Sequence, residues 1–170
     1  VQYFDDNTVR SIEPNEEGVP ETIERAWVAD LDDVPYPEKF VVPYVEIVHD
    51  RVMLEIMRGC THGCRFCQAG TVYRPRRERS VDKLVSLAEA GYKATGHDEV
   101  ALLSLSSSDY SNIPEIVQRL NAVFTPQCVS LSLPSLRVGD MLKVLPKEIS
   151  AVRKPGLTFA PEAASERLRR

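Results

Sequence analysis

The sequence contains little cysteine and no long apolar run. Four cysteines in 170 residues exclude a disulfide-rich scaffold, and a cluster of cysteines outside such a scaffold indicates metal or redox chemistry. No apolar segment approaches the roughly 20 residues that a membrane-spanning helix needs, and no basic-then-apolar leader is present. We therefore expect a cytoplasmic protein without a membrane partner. A hydrophobic content of 43% suffices for one domain with a core.

Basic residues are scarce at the start of the chain. Residues 1–50 carry 13 acidic and 3 basic side chains, whereas residues 51–80 carry 7 arginines and 2 glutamates. We therefore divide the chain into an acidic N-terminal extension or linker, residues 1–50, and a second unit, residues 51–170. The basic stretch fits either a solvated surface or a site for anionic groups. Proline spacing predicts an extended linker over residues 30–40, and residues 40–48 fit a short strand or hairpin arm.

After residue 51, short apolar runs alternate with amphipathic stretches. The apolar runs predict strands over residues 52–57, 99–105, 128–133 and 156–160. Helical spacing predicts helices over residues 81–95, 113–124 and 139–154, with Ser80, Gly96, Pro114 and Ser165 at helix ends. This alternation predicts an α/β fold with a parallel sheet. A complete barrel of eight βα units takes about 250 residues, so we expect a partial parallel-stranded barrel of about four units.

Three of the four cysteines lie close together, directly after the first strand predicted in this series. Cys60, Cys64 and Cys67 could hold three irons of a four-iron cluster, which leaves the fourth iron open to a small molecule. Gly59 and Gly63 are expected to give the backbone the freedom to wrap such a cluster.

A structural zinc site is the alternative for these cysteines, with His62 or His97 as the fourth ligand. We otherwise expect His62 to be an exposed loop residue. Cys128 lies in a run predicted to be a strand, so we expect it to be buried as a small hydrophobic residue.

The spacing Cys60-x-x-x-Cys64-x-x-Cys67, with the aromatic Phe66 before the last cysteine, resembles the signature of the radical S-adenosylmethionine (SAM) superfamily. The wider sequence resembles an uncharacterised branch of multidomain radical SAM proteins in the stretches EIMRGCTHGCRFCQAG, YRPRRERS, SLSSSDY, LSLPSLR and LTFAPEAASERLRR. The chain begins at Val1 and ends at Arg170 within a helical pattern, so we expect a fragment of a longer protein.

The resemblance implies a mechanism and its cofactors. A 4Fe-4S cluster held by the three cysteines would bind SAM at its open iron. One electron from a low-potential donor of the flavodoxin or ferredoxin type would then split SAM into methionine and a 5′-deoxyadenosyl radical. The substrate is not implied, and we expect the fragment alone to show little or no turnover. We also expect its open sheet edge to self-associate or to be covered by residues 1–50.

The resemblance also implies cofactor-binding roles for residues beyond the predicted strands. The family often has a glycine-glycine-glutamate motif after the second strand, where this chain has Ser106, Ser107, Ser108 and Asp109. Asp109 would accept from the ammonium of SAM and Arg137 would pair with its carboxylate. The remaining residues assigned to cofactor binding are Phe66, Ser106, Ser108, Ser135 and Glu162, the last two as partners of the ribose. A turn with an N-cap at residues 106–109, and a first-turn acid at Glu162, are the alternatives.

Two further functions remain open at this point. The chain could be an iron–sulfur module for electron transfer alone, or a zinc-stabilised binding module. The arginines of residues 73–80 could also contact nucleic acid. Tyr73 is their only aromatic neighbour within that stretch and the net charge is −4, so a solvated loop or a cover over the cluster is favoured.

Overall fold

A three-stranded parallel sheet with helices packed on it forms the centre of the fold. The computed structural model describes residues 1–45, 47–137, 149, 152, 153, 156, 157 and 161–169. In chain order its strands are β1 (Gln2–Tyr3), β2 (Val9–Ser11), β3 (Val52–Glu55), β4 (Met57–Arg58), β5 (Arg77–Glu78), β6 (Glu99–Leu103) and β7 (Ser130–Ser132). Its α-helices are α1 (Gln68–Val72), α2 (Val81–Thr95), α3 (Ile113–Phe124) and α4 (Glu166–Arg169). Two 3-10 turns cover Ser107–Asp109 and Thr125–Gln127.

The sheet has the strand order β3-β6-β7, with both neighbouring pairs parallel. In the register, Leu54 lies beside Leu102 and Val100 beside Leu131. Helix α2 packs on β3 and on α3, and α3 packs on β7. Because α2 connects β3 to β6 and α3 connects β6 to β7, the strands and helices alternate as predicted and the α/β class is confirmed.

Local capping signals set the ends of α2. The Ser80 hydroxyl accepts a hydrogen bond from the Lys83 N–H at 3.2 Å. This N–H lies in the first turn, where backbone N–H groups have no carbonyl partner within the helix. At the other end Gly96 has a φ of +71° and donates its N–H to the Tyr92 carbonyl at 2.8 Å. Helix α3 also has the predicted bounds, with Pro114 in its first turn. Both helices are therefore confirmed.

The third predicted strand begins later than expected. Thr125–Gln127 forms a 3-10 turn that ends at Cys128, which has a φ of +58° and is exposed. The strand starts only at Ser130. The prediction that Cys128 is buried on a strand is therefore wrong, because the turn carries its side chain out of the sheet.

Three further predictions concern segments at the two ends of the chain. No strand forms among the described residues of 40–48, where Val41 and Tyr44 are exposed and Pro43 lacks an N–H for a ladder. The predicted helix over residues 139–154 and strand over 156–160 lie largely outside the described residues. Ser165 directly precedes α4, and its carbonyl accepts from the Leu168 N–H at 3.1 Å.

The N-terminal extension is mostly exposed but contacts the core unit at defined points. Leu31 is fully buried, and Tyr36 packs against the core. Within the extension, the rings of Tyr36 and Phe40 pack edge-to-face, with their centroids 6.2 Å apart. The boundary at residue 50 stays a prediction. Over the part of the chain described here, no helix is both long and apolar enough to span a bilayer.

Candidate metal and cofactor site

The cysteine loop lies between a strand and a helix that hold its two ends. Strand β4 leads into it and pairs antiparallel with β5, so that Arg58 lies beside Arg77. Helix α1 follows it, with Cys67 as the N-cap. Within the loop, the Cys67 N–H donates to the Cys64 carbonyl at 3.0 Å, which closes a tight turn. The cysteine loop is therefore a compact connection between the end of β4 and the start of α1.

Gly59 is required by the shape of this loop. Its φ is +91°, a region that side-chain-bearing residues rarely adopt. A Cβ at this position would lie 2.6 Å from the Tyr73 carbonyl oxygen and 2.9 Å from that of Pro75. Gly63 is different, since a Cβ there would meet the Arg74 Nη2 at an ordinary 3.7 Å. The expected need for backbone freedom therefore applies at Gly59 and not at Gly63.

The three thiols differ in exposure and in their hydrogen bonds. Cys60 and Cys67 are half-buried, while Cys64 is exposed. The Cys60 Sγ accepts from the His62 N–H at 3.5 Å and the Cys67 Sγ accepts from the Gly70 N–H at 3.3 Å. Backbone N–H groups therefore hold the sulfur atoms of Cys60 and Cys67 in place.

A pocket of about 430 Å³ opens beside Cys60 and is lined by Cys60, Thr61, Arg74, Pro75 and Arg76. Three thiols on one loop, a neighbouring pocket and basic side chains suit an anionic iron–sulfur cluster. Among the described residues, no three His, Cys, Asp or Glu side chains already stand at metal-binding separation. The three thiols therefore fit the cluster by their chemistry and not by their present separation.

Polar side chains from two strand ends meet the cysteine loop at His62. The Asp109 Oδ2 accepts from the Ser106 hydroxyl at 2.5 Å and lies 2.6 Å from the His62 Nε2. The Arg137 Nη1 contacts the same His62 nitrogen. We call Ser106, Ser108, Asp109, Ser135 and Arg137 the strand-end cluster.

The backbone ties the two halves of the strand-end cluster together. The Arg137 N–H donates to the Ser108 hydroxyl at 3.2 Å, and the Ser107 N–H donates to the Ser135 carbonyl at 3.0 Å. Parallel strands place their carboxyl ends at one edge of the sheet, so the loops after β6 and β7 become neighbours. Five of the residues assigned to cofactor binding are thus brought together next to the cysteine loop.

Two other residues assigned to cofactor binding, Phe66 and Glu162, are exposed. Phe66 is 69% exposed. Glu162 has a φ of +65° and is exposed, and the described residues provide it with no hydrogen bond or ion pair. Their roles as cofactor contacts therefore stay predictions.

His62 is the residue of this site that sequence reasoning missed. It was expected to be an exposed loop residue, but its side chain is 32% exposed and pairs with Asp109. Its carbonyl also accepts from the Arg74 Nη2 at 3.2 Å. The available signal was its position between two cysteines of one loop.

The arginines of residues 73–80 mostly have structural roles. Arg77 is 9% exposed and Arg79 is 2% exposed, so the expectation of a solvated loop is wrong for both. Arg76 donates to the Asp109 carbonyl at 3.0 Å and to the Ser111 hydroxyl at 3.3 Å. With Arg74, it lines the pocket beside Cys60. Residues 73–80 therefore contact both Asp109 and the pocket beside Cys60.

The carboxyl group of Asp109 is held in its ionised form. Burial raises the pKa of Asp109, but hydrogen bonds from Ser106 and His62 and the charges of His62 and Arg137 outweigh it. The pKa of Asp109 therefore lies below its ordinary value, and the group is a carboxylate at neutral pH.

This lowered pKa predicts a pH dependence of stability. The stabilisation is present above the pKa of Asp109 in the unfolded chain, about 3.9, and is lost as the pH falls through the lower folded value. Asp109→Asn should therefore be less stable than the wild type at pH 7 and lose less stability on acidification. Urea unfolding between pH 7 and pH 2 measures both, with Asp5→Asn in the exposed N-terminal extension as the control. Parallel pH profiles for the wild type and Asp109→Asn would contradict the assignment.

Comparison with known proteins places this site in a family. The family model for the radical SAM superfamily matches residues 54–170, which include the cysteine loop and the strand-end cluster. An uncharacterised protein of Methanocaldococcus jannaschii is 42% identical over 118 residues, which make up 69% of this chain and 25% of the relative. The chain thus spans about a quarter of the length of the curated relative that it matches. With its three-cysteine loop after the first strand of a parallel α/β sheet, this chain belongs to the radical SAM superfamily.

Proposed function

We propose that this chain is the cofactor-binding part of a radical SAM enzyme. In this proposal Cys60, Cys64 and Cys67 bind a 4Fe-4S cluster, and the strand-end cluster binds SAM beside it. The observation that carries the proposal is the 2.6 Å contact between His62 and Asp109, because it brings the thiol-bearing loop against the residues assigned to SAM. A SAM molecule bound at the cluster would need polar partners at that junction.

The charged residues at the junction suit the two charged groups of an amino acid. Asp109, ionised at neutral pH, would accept from the ammonium, and Arg137 would pair with the carboxylate. Both side chains contact His62 in this structure, so SAM would replace those contacts. Ser106 and Ser108 offer hydroxyls next to Asp109, and we propose Phe66, Ser135 and Glu162 as further contacts.

When bound and reduced, the cluster would supply the electron that cleaves SAM to methionine and a 5′-deoxyadenosyl radical. We propose that a low-potential donor of the flavodoxin or ferredoxin type provides this electron. The three parallel strands would be the first strands of a partial barrel, and further domains of a longer protein would complete the cavity and contact the substrate.

The two candidates for a fourth zinc ligand lie in different places. His62 lies in the cysteine loop, and its Nε2 contacts Asp109, which leaves the other ring nitrogen for a ligand. His97 precedes β6 and lies 3.1 Å from Asp50, so it belongs to the opposite edge of the sheet from the cysteine loop. Protein reconstituted anaerobically with iron and sulfide should be brown, whereas a zinc module would stay colourless.

Adding SAM to the reduced, reconstituted protein should change its electron paramagnetic resonance spectrum, because SAM would ligate one iron of the cluster. Half-maximal change in Arg137→Ala should need about tenfold more SAM, which is the effect of losing one charge-assisted hydrogen bond. Arg119→Ala is the matched control, since Arg119 lies on α3 and pairs with Asp82. A spectrum that does not respond to SAM in fully loaded protein would favour the electron-transfer module.

A further inference from the structure

Residues 25–32 of the N-terminal extension lie against the segment that follows the cysteine loop, and we call them the strap. They precede the region that the family model matches, residues 54–170. The Arg25 guanidinium donates to the Val72 carbonyl and, at 2.5 Å, to the Arg74 carbonyl. Val72 is the last residue of α1, the helix that begins after Cys67. A cation at the carbonyl end of a helix is favourable, so Arg25 restrains α1.

The middle of the strap holds Arg77 of β5. The Arg77 Nη1 donates to the Val28 carbonyl at 2.8 Å, and its guanidinium lies 5.7 Å from the centre of the Trp27 ring. Because Arg77 lies beside Arg58 in the β4–β5 pair, the strap also restrains the strand that leads into the cysteine loop.

The end of the strap is its buried anchor. Leu31 is fully buried, and its carbonyl accepts from the Arg79 Nη1. The Arg79 side chain is itself 2% exposed, so this contact is shielded from water. The Asp32 carboxylate accepts from the Ser80 N–H at 3.0 Å. The strap is therefore attached both at the start of α2 and to the segment that follows the cysteine loop.

These contacts reach the thiols through the backbone. The strap forms hydrogen bonds with the segment from Val72 to Ser80. Part of this segment packs directly on Gly59, the residue before Cys60. Space at that point is so limited that a single Cβ on Gly59 would lie 2.6 Å from the Tyr73 oxygen. A shift of this segment would therefore move both ends of the cysteine loop.

We propose that the strap is a positioning element for the cluster, in which Arg25 keeps α1 and the Cys67 thiol in place for metal binding. The metal-binding purpose rests on the proposed function above. The mechanical link between strap and loop does not, and it is measurable in the protein without iron.

The test compares Arg25→Ala with Arg10→Ala in the full chain. Arg10 lies in the same extension, with its guanidinium 5.8 Å from the centre of the Phe4 ring, and no hydrogen bond or ion pair joins it to the cysteine loop among the described residues. In iron-free protein, iodoacetamide should modify Cys67 about tenfold faster in Arg25→Ala, since alkylation follows the population of the locally open state. The exposed Cys128 provides an internal reference whose rate should not change. The single tryptophan, Trp27, is 56% exposed, and its emission should become easier to quench with iodide when the strap is released.

A second measurement tests whether the strap affects how much iron the chain binds. On anaerobic reconstitution, Arg25→Ala should retain less iron per chain than Arg10→Ala. If circular dichroism shows that Arg25→Ala does not fold, Arg25→Lys replaces it in the test. Lysine keeps the positive charge but cannot donate to the Val72 and Arg74 carbonyls with two separate nitrogens. Equal Cys67 rates in both variants with a changed Trp27 emission would overturn the link. Faster Cys67 alkylation together with a wild type that binds no iron would support the strap and contradict the proposed function.

Discussion

Cys64→Ala will lose most of its iron and sulfide after anaerobic reconstitution, and Cys60→Ala and Cys67→Ala will do the same. Three thiolates on one loop leave no redundancy, because each would hold a separate iron of the cluster. Among the described residues, no other group of three or more His, Cys, Asp or Glu side chains stands at ligating separation and could hold the iron instead. The iron and sulfide content per chain, together with the visible absorbance of the cluster, measures the effect.

Cys128→Ala is the matched control for these variants. Cys128 is an exposed free cysteine like Cys64, but it lies in the turn before β7 rather than in the cysteine loop. Its replacement should leave the iron content unchanged. Full iron retention in Cys64→Ala, or a loss in Cys128→Ala equal to that in Cys64→Ala, would refute the ligand assignment.

Gly59→Ala is expected to destabilise the fold by about 2–5 kcal/mol. A left-handed conformation costs a side-chain-bearing residue about 1–2 kcal/mol. A methyl group 2.6 Å from the Tyr73 oxygen and 2.9 Å from the Pro75 oxygen forces backbone to move, at a further cost of about 1–3 kcal/mol. Urea unfolding followed by circular dichroism measures the free energy, and reconstitution should show reduced iron uptake because Cys60 is the next residue.

Gly96→Ala separates the two contributions to this loss. Gly96 has a φ of +71°, but a Cβ there would meet nothing within 4 Å, so only the conformational cost applies. Its loss should therefore be about 1–2 kcal/mol, without an effect on iron uptake. Gly59→Ala with the same stability as Gly96→Ala would mean that the segment packed on the cysteine loop yields easily, which would also weaken the case for the strap.

Local signals in the sequence were sufficient for the helices and for the place of the thiols. The bounds of α2 follow from Ser80 and Gly96, whose capping bonds reach only three or four residues along the chain. The cysteine loop was predicted because it follows the apolar run of residues 52–57, which the structure divides between β3 and β4. Hydrophobic periodicity, helix caps and the spacing of the three cysteines depend only on residues close in the chain, so they can be recognised from the sequence alone.

The arrangement of the strand-end cluster was only partly predictable. Parallel strands with alternating helices put the loops after β6 and β7 at one edge, which correctly grouped Asp109 with Arg137. The residue that joins this group to the cysteine loop is His62, which lies 47 positions from Asp109 in the sequence. No local pattern reports a contact over that distance.

The sequence by itself determined the α/β class, the ends of α2 and α3, and the loop that carries Cys60, Cys64 and Cys67. Tertiary structure alone decided that Arg79 is buried against Leu31, that Cys128 is exposed and that residues 25–32 contact the segment that follows the cysteine loop. The physical reason is the range of the interactions. A charged side chain is buried only where distant carbonyls and rings satisfy it, and those partners become neighbours only after the chain has folded.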